Sequence, residues 1–390
     1  MTKAWGTLTG IRPAKVAAKI LQTEKSFEAA AEFLSEKYYV EPKRAALCVE
    51  TATAAMKMQA SLGERDVALY VGIPFCPTRC AYCSFVSNSV ERSFDLVDPF
   101  VELLVEEISK MAEVAEKLNL NIISLYIGGG TPTALTEDSL GAIMSALNKS
   151  FDLSNLREYT VEAGRPDTLS KEKVDLMRSL GASRICINPQ SMNPEVLEAI
   201  GRKHSSQDVL DAINMTKVTE AVINVDLIAG LPSDTFEGFC KSLDTVLALG
   251  VENITVHTLS LKKGSRIMLE GTMLPSVGVV ERMLDYASKR LRESGYVPYY
   301  LYRQKYISGG FENVGWCLPG YECVYNICMM EELTTVLAVG GGGVTKLVSQ
   351  EDNRIERVFN AKFPREYLLL TDKLERKYDE IQLFYKGGGA

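Results

Sequence analysis

The chain has 390 residues, of which 46% are hydrophobic and 24% charged, and this composition is ordinary for a globular protein with a large core. The formal net charge of -7 does not favour a nucleic-acid partner, and no apolar stretch is long enough to span a bilayer. Residues 1–10 lack the apolar segment of a secretory signal, and the nine cysteines are an odd number. These features predict a cytoplasmic protein, because thiols stay reduced in that compartment.

The apolar pattern of residues 1–65 predicts a helical segment before the core, called the lead-in below. Apolar residues recur at helical spacing in three segments, residues 15–21, 26–37 and 42–62. We place the first domain boundary after residue 65, because the pattern changes there.

Residues 66–294 alternate between strand-like and helix-like patterns, and they predict a core barrel. Six short β-branched segments predict buried parallel strands: residues 67–73, 122–127, 158–163, 184–188, 222–228 and 253–259. Amphipathic helical patterns follow them at residues 94–118, 136–147, 170–180, 194–200 with 206–218, 235–249 and 278–294. Six β/α units in a row predict an α/β fold with right-handed crossovers, here a partial (β/α)6 TIM-like barrel.

Residues 295–390 predict a smaller α+β region at the carboxy terminus. Residues 296–302 and 344–348 are strand-like, and residues 364–378 are helical in pattern. Residues 313–325 are rich in glycine, proline and cysteine and predict a loop, whereas residues 328–339 fit either helix or strand. The four glycines at 340–343 predict a turn and do not form a phosphate-binding loop, although Lys346 lies nearby.

Three cysteines in the spacing C-x3-C-x2-C directly follow the first predicted strand. They are Cys76, Cys80 and Cys83, and Tyr82 stands just before the third. Four thiolates complete a four-iron cubane, so three nearby thiolates leave one iron open to a small molecule. A strand followed by such a loop resembles the radical S-adenosylmethionine (SAM) enzymes, whose usual core is a partial barrel.

Two other kinds of site could use these thiols. A closed zinc site needs four ligands, and only His204 and His257 could complete one here. A redox pair at Cys80 and Cys83 would leave Cys76 without a role. The other six cysteines lack ligand spacing, and we predict that most are small buried side chains: Cys48, Cys186, Cys240, Cys317, Cys323 and Cys328.

Glycines and polar residues follow the later strands, at the end where β/α barrels carry their chemistry. Gly128, Gly129 and Gly130 would let a ligand approach the backbone closely, although a tight turn is the alternative. Buried ionisable groups are costly unless paired, so each polar residue could also belong to a structural ion pair. Their shared end of the barrel favours a ligand with ribose hydroxyls and an ammonium, such as SAM, and the set is Glu162, Gln190, Arg202 and Asp226.

Most of the chain, from Trp5 to Lys346, resembles the oxygen-independent coproporphyrinogen III oxidases, also called coproporphyrinogen dehydrogenases, especially their HemZ-type branch. Residues 5–13 (WGTLTGIRP), 71–76 (VGIPFC), 162–167 (EAGRPD) and 312–315 (ENVG) carry the resemblance. Longer members have an additional region before the Trp5 motif. The resemblance therefore implies that this chain is a short form or a fragment.

The resemblance also implies the cofactors and their contacts. Cys76, Cys80 and Cys83 would hold a [4Fe-4S] cluster that binds SAM. Contacts to this SAM would come from Tyr70, Tyr82, Gly129 and Glu162. A second SAM, as in the best-studied branch, would be bound by Gly130, Thr131, Gln190, Arg202, Asp226 and Ser260.

The reaction implied is oxidative decarboxylation of two propionates of coproporphyrinogen III to vinyl groups, which gives protoporphyrinogen IX in anaerobic haem biosynthesis. A 5′-deoxyadenosyl radical from SAM would start it, and the partners would be this tetrapyrrole, an electron donor and an electron acceptor. A haem-trafficking chaperone and a radical SAM methylase are the alternatives. Two positions differ from the best-studied branch: Gly72 replaces a histidine, and Ser84, Phe85 and Val86 replace a Gly-Cys-Asn run.

Overall fold

The computed structural model describes residues 4–83, 88–261, 265–352, 354–369 and 371–387. Three helices form the lead-in, as predicted: α1 (Pro13–Glu24), α2 (Phe27–Tyr38) and α3 (Pro42–Ala60). Proline begins α1 and α3, where its fixed φ suits the first helical turn. The Ser26 hydroxyl caps α2 by accepting a hydrogen bond of 3.1 Å from the Ala29 N–H.

The core carries all six predicted strands and a short two-stranded ribbon. The strands are β1 (Asp66–Ile73), β2 (Phe75–Cys76), β3 (Asn88–Ser89), β4 (Asn121–Gly129), β5 (Glu158–Gly164), β6 (Arg184–Gln190), β7 (Val222–Ala229) and β8 (Asn253–Thr258). The helices are α4 (Val97–Lys117), α5 (Glu137–Ser150), α6 (Lys171–Ser179), α7 (Pro194–Ala199), α8 (Ser206–Lys217), α9 (Phe236–Ala248), α10 (Arg266–Glu270) and α11 (Val277–Glu293).

The carboxy-terminal region contributes strands and helices to the same body. They are β9 (Val297–Tyr302), β10 (Asn313–Cys317), α12 (Val324–Glu331), β11 (Val336–Gly340), β12 (Val344–Val348), β13 (Ile355–Phe359), α13 (Pro364–Leu369) and α14 (Thr371–Lys386). Residues 328–339 thus contain both a helix end and a strand. Among the helices described, none is long and apolar enough to cross a membrane.

One sheet of eleven strands runs through the described part of the chain, in the order β13-β12-β11-β1-β4-β5-β6-β7-β8-β10-β9. β1 and β4 to β8 are parallel neighbours, as the β/α alternation predicted. The sheet ends at β13 and β9, so the predicted partial barrel is confirmed as an open one. The domain boundaries at residues 66 and 295 stay predictions.

The strands of the C-terminal region extend the core sheet on both sides. β11 pairs in parallel with β1, and β10 pairs antiparallel with both β8 and β9. The prediction of a loop over residues 313–325 is therefore wrong for 313–317, which form β10, and for 324–325, which begin α12; residues 318–323 are a loop, as predicted. Glycine marks a close approach here: a Cβ on Gly315 would lie 1.9 Å from a ring carbon of Tyr300. Val314 and Trp316 are buried, so the segment has the apolar side chains of a central strand.

Side chains alternate between the two faces of the core strands. Those that face the helices are apolar and join the main core, for example Leu69, Val161 and Val225. Their neighbours face the opposite side and are polar or aromatic. This inner row includes Tyr70, Tyr126, Glu162, Asp226 and His257. The inner face of the sheet is therefore polar and aromatic, whereas the face that packs against the helices is apolar.

Candidate functional site

The cysteine loop begins at the carboxyl end of β1. Cys76 lies in β2, and the Cys83 N–H donates to the Cys80 carbonyl at 3.1 Å, which forms a turn. All three thiols are half-buried, and none of the nine cysteines, all of them described, is in a disulfide. Five of the six other cysteines are buried, as predicted, whereas Cys240 is half-buried. The loop thus presents three reduced thiols at the expected end of the sheet.

Neighbouring elements hold the loop in place through its backbone and one hydroxyl. The Ala81 N–H donates to the Ile200 carbonyl at 3.0 Å, after α7. Arg165, after β5, donates to the Thr78 hydroxyl at 2.7 Å and forms a bidentate pair with Asp167 at 2.9 and 2.7 Å. Because Arg165 and Asp167 belong to the EAGRPD segment, that segment supports the cysteine loop.

The glycine run after β4 packs against the chain itself. The N–H groups of Gly130 and Thr131 donate to the carbonyls of Ile73 and Phe75, both at 2.7 Å. A Cβ on Gly130 would lie 2.3 Å from the Phe75 oxygen, and one on Gly128 would lie 2.7 Å from Glu162 Oε2. These glycines therefore let β4 approach the cysteine loop and leave room for Glu162. The Thr131 hydroxyl lies 3.5 Å from Cys76 Sγ.

Glu162 is an inward carboxyl beside this glycine run. It accepts hydrogen bonds from the Gly129 N–H and from Asn188 Nδ2, the latter at 3.3 Å. Burial and the charge of Asp226 raise the pKa of Glu162 to about 8, although both hydrogen bonds and Arg202 act to lower it. Glu162 therefore carries a proton at neutral pH until a cation approaches it.

Three tyrosines stack beside Glu162. The rings of Tyr70 and Tyr126 are 6.2 Å apart, and Tyr325 of α12 lies 4.5 Å from Tyr126 and 6.0 Å from Tyr70. Burial and the nearby Glu162 raise the pKa of Tyr70, so it remains a neutral phenol. Tyr70, predicted as a SAM contact, thus lies next to Glu162, which is predicted for the same ligand.

Arg202 connects the cysteine loop to the strand ends. It donates to the carbonyls of Asn188 and Gly164, the latter at 3.5 Å, and to the Tyr82 hydroxyl at 3.2 Å. Arg202 also forms a hydrogen bond with the Cys80 side chain. The guanidinium is buried, and its Nε has no hydrogen-bond partner among the described residues. These contacts are not those of a structural Arg–Asp pair with Asp226.

Gln190 ends β6 with a left-handed φ of 70°. Its side chain is buried, yet its Oε1 finds no hydrogen-bond partner in the described part of the chain. A buried polar atom without a partner is costly, so a bound ligand is one way to satisfy it.

Asp226 lies beside His257, which in turn contacts Tyr302, and the sequence did not predict these two contacts. His257 Nε2 lies 3.4 Å from Asp226 Oδ2, and His257 Nδ1 lies 3.4 Å from the Tyr302 hydroxyl. Burial raises the pKa of Asp226, but hydrogen bonds from His257, Asn224 and Thr255 outweigh it and lower this pKa overall. The alternation along β8 could have indicated that His257 faces inward, whereas its contact with Tyr302 depends on strand pairing.

Ser260 lies beyond β8, where its backbone pairs with Ile307. Its hydroxyl donates to the Lys305 carbonyl at 3.3 Å. Gly72, where the best-studied branch has histidine, packs on the glycine turn after β11: a Cβ there would lie 2.6 Å from the Gly341 oxygen. Ser84, Phe85 and Val86 lie outside the described residues.

The predicted site residues thus lie around the cysteine loop and the strand ends, and they fit a cluster with SAM. Three thiols share one loop, and the buried atoms Gln190 Oε1 and Arg202 Nε lack partners among the described residues. No three His, Cys, Asp or Glu side chains in the described residues converge on one ion. A cubane does not require this, because its thiolates bind different irons. A closed zinc site would require four such ligands.

Comparison with known proteins shows which family this chain belongs to. Residues 70–246 match the Radical SAM superfamily. The oxygen-independent coproporphyrinogen-III oxidase-like protein HemZ of Bacillus subtilis is 38% identical over 386 residues, which cover 97% of this chain and 76% of HemZ. The chain belongs to the HemZ branch of the radical SAM superfamily. Membership implies a 4Fe-4S cluster and SAM as cofactors.

This HemZ-branch protein is also similar to two proteins outside that branch. The heme chaperone HemW of Lactococcus lactis is 32% identical over 269 residues, which cover 68% of this chain and 65% of HemW. The solved structure of coproporphyrinogen III oxidase (HemN) from Escherichia coli superimposes with a TM-score of 0.65 at 22% identity, and the match covers 83% of this chain and 73% of HemN. The structural similarity to HemN confirms the fold.

Proposed function

We propose that this protein is a radical SAM enzyme that oxidatively decarboxylates two propionates of coproporphyrinogen III to vinyl groups, giving protoporphyrinogen IX. The proposal is supported by 38% identity with HemZ, an oxygen-independent coproporphyrinogen-III oxidase-like protein. The structural observation that carries it is the polar and aromatic inner row beneath the cysteine loop. We also propose a cytoplasmic location, because the cluster ligands must stay reduced.

We assign the cluster to Cys76, Cys80 and Cys83 and the first SAM to Tyr70, Tyr82, Gly129 and Glu162. When bound, the cluster and SAM supply a radical that abstracts hydrogen. Glu162 would lose its proton and accept a hydrogen bond from the ammonium of a bound SAM, since a nearby cation favours the carboxylate. Arg202 orients Tyr82 and Cys80, while the apolar shell keeps water from the reacting groups.

A second SAM is assigned to Gly130, Thr131, Gln190, Arg202, Asp226 and Ser260. Gln190 Oε1 and Arg202 Nε support this assignment, because neither has a hydrogen-bond partner among the described residues. Ser260 fits it less well, because its hydroxyl is already bonded to the Lys305 carbonyl. Two SAM molecules would match the two propionates that one turnover converts.

A haem chaperone is the second candidate, because HemW is also similar in sequence. A haem carrier commonly offers an accessible axial ligand, often histidine. His204 is buried, and both nitrogens of His257 face Asp226 and Tyr302. Neither of the two histidines thus offers an accessible and unengaged ring nitrogen to haem iron, which favours the enzyme.

One anaerobic assay tests the proposal. Reconstituted protein is incubated with SAM, a reductant and coproporphyrinogen III, and the products are separated by mass. We expect mono- and divinyl products together with 5′-deoxyadenosine. Unchanged tetrapyrrole with tightly retained haem would instead indicate the chaperone, and a product that has gained a methyl group would indicate a methylase.

A further inference from the structure

Four cations surround one buried carboxylate where the lead-in meets the carboxy-terminal strands. The carboxylate belongs to Glu332, which directly follows α12 and whose side chain is 3% exposed. Arg12 Nη1 lies 2.8 Å from its Oε1, and Lys15 Nζ lies 2.8 Å from its Oε2. Arg357 Nη2 and Lys346 Nζ lie 3.1 and 3.8 Å from the same Oε1. These four cations are called the basic cluster below.

The positive charges here outnumber the negative ones. Glu331, the last residue of α12, is a second carboxyl near Arg12 and Lys15. Burial raises the pKa of Glu331 to about 7, although these two cations act to lower it, so Glu331 is partly protonated at neutral pH. Even with Glu331 fully ionised, four cations face two carboxylates. A partly buried surplus of charge favours an ion of the opposite sign.

The two strand residues of the basic cluster also repel each other. Lys346 and Arg357 lie directly opposite on β12 and β13, and like charges in such a cross-strand pair destabilise a sheet. Burial lowers the pKa of Lys346 to about 8. Glu332 opposes this shift, but three neighbouring cations add to it: Arg12, Arg357 and Lys15. One carboxylate thus does not compensate the cations around it.

The basic cluster has more N–H donors than Glu332 can accept from. Two guanidinium and two ammonium groups carry about sixteen N–H donors, whereas one carboxylate offers about four acceptor positions. The side chains of Arg12, Lys15 and Arg357 are 23%, 39% and 43% exposed, so an anion can reach them from solvent. A planar guanidinium can bind two oxygens of such an anion at once. Glu331 Oε1 is buried without a hydrogen-bond partner among the described residues, and a protonated carboxyl is a further donor.

The basic cluster lies away from the sites assigned to iron and SAM. Lys346 is opposite Val336, the first residue of β11, and Val336 pairs in turn with Ala68 near the start of β1. The cysteine loop follows the other end of β1. A ligand of the basic cluster is therefore distinct from the SAM beside the cysteines.

We propose that Arg12, Lys15 and Arg357 bind a phosphate group. Glu332 orients these three side chains, and the Lys346 ammonium adds a further positive charge. A phosphate group carries about two negative charges at neutral pH, which matches the surplus of the cluster better than a single carboxylate does. Inorganic phosphate and a nucleotide share this chemistry. The bound anion would join α1 to β12 and β13, and the inference does not depend on the proposed decarboxylation.

The test uses cluster-loaded protein under anaerobic conditions in a phosphate-free buffer. Inorganic phosphate and ADP are each titrated by calorimetry at an ionic strength held constant with sodium chloride, and thermal unfolding is followed with and without each ligand. The variants are Arg12→Gln and Arg357→Gln. Arg357 lies on β13, the outermost strand, so its variant remains a test if Arg12→Gln does not fold. Arg292→Gln is the matched control, because this arginine is 39% exposed and pairs with Glu50 at 2.8 Å.

We expect one phosphate group per chain and a higher melting temperature in its presence, because a ligand that binds the folded state stabilises it. Arg12→Gln and Arg357→Gln should each weaken phosphate binding by about threefold to tenfold, since these contacts lie between an exposed ion pair and a buried charge-assisted bond. Arg292→Gln should bind phosphate like the wild type, and all three variants should keep their iron and their SAM affinity. Tighter binding of ADP with the same dependence on Arg357 would identify a nucleotide as the source, and equal or weaker binding would identify inorganic phosphate.

Three results would overturn the proposal. A folded wild type that binds neither phosphate nor ADP would make the basic cluster a structural ion-pair network. Equal phosphate affinity in the wild type and in every folded variant would place the anion elsewhere. Displacement of phosphate by coproporphyrin III, with a larger rise in melting temperature, would assign the cations to carboxylates of a tetrapyrrole instead.

Discussion

The indole Nε1 of Trp5 donates a hydrogen bond of 2.7 Å to Glu312 Oε2, across 307 positions of the chain. Arg44 Nε lies 3.3 Å from the other oxygen of the same carboxyl, and both side chains that bind Glu312 are buried. Two segments that resemble the HemZ branch, WGTLTGIRP and ENVG, therefore meet in space. Their contact attaches the lead-in to the segment that leads into β10.

Trp5→Phe should lower the free energy of unfolding by about 1.5–3 kcal/mol, because it removes a hydrogen bond to a buried charged group. Urea unfolding followed by circular dichroism measures this change. Thr7→Ala is the control: its exposed hydroxyl donates to the Tyr38 carbonyl, and its loss should cost less than about 0.5 kcal/mol. Equal stability of Trp5→Phe and the wild type would show that the contact contributes little.

Local sequence patterns predicted much of this fold and less of the site. The six strands follow from β-branched segments, and the inward position of Glu162 and Asp226 follows from alternation along β5 and β7. The pairs Trp5–Glu312 and His257–Tyr302 depend on how distant segments pair, which no local pattern encodes. The loop predicted over residues 313–325 failed at β10 for the same reason, since Gly315 is a packing position against Tyr300.

Each of Cys76→Ala, Cys80→Ala and Cys83→Ala should remove the cluster, because each deletes one of three adjacent iron ligands. Anaerobic analysis of iron and sulfide measures the outcome. Cys240→Ser is the control, because this half-buried thiol lies on α9, away from the loop. Full iron content in any of the three alanine variants would point to other ligands.

Gly72→Ala should destabilise the protein by about 1–3 kcal/mol through overpacking. The added Cβ would lie 2.6 Å from the Gly341 oxygen, which belongs to a turn and cannot rotate away like a side chain. Gly278→Ala is the matched control, since nothing lies within 4 Å of its Cβ position. Thermal unfolding of the two variants compares them, and an equally stable Gly72→Ala would mean that the turn shifts without cost.

Glu162 should make stability depend on pH in protein that lacks cluster and SAM. Its folded pKa of about 8 exceeds its ordinary value of 4.5, so folding favours the protonated form. The stability it contributes is full below about pH 4.5 and is lost as pH rises through about 8, by at most about 1.4 kcal/mol per unit.

Urea unfolding of the wild type and Glu162→Gln between about pH 5 and 8 tests this dependence. The wild type should lose stability relative to the variant as pH rises. Burial also raises the pKa of Glu331 to about 7 and that of Asp234 to about 6, but both groups remain in the variant and cancel in the difference. A constant difference across this range would mean that Glu162 is ionised in the folded protein.

Gln190→Leu separates a ligand-binding role from a structural one. In the protein without ligand, Gln190 Oε1 is buried and has no partner among the described residues, so replacing the amide with an apolar side chain should not lower stability. If the amide binds the second SAM, its loss should weaken that binding by about twofold to tenfold, the range for one neutral hydrogen bond.

Equilibrium dialysis with cluster-loaded protein measures both the stoichiometry and the affinity. We expect two SAM molecules per wild-type chain, with only the weaker-binding one affected in the variant. Asp226→Ala should keep its iron and lose most porphyrinogen turnover, because Asp226 is assigned to the same SAM. A wild type that takes up one SAM, or a Gln190→Leu variant that binds SAM normally but unfolds more easily, would remove the second site and make Gln190 a structural residue.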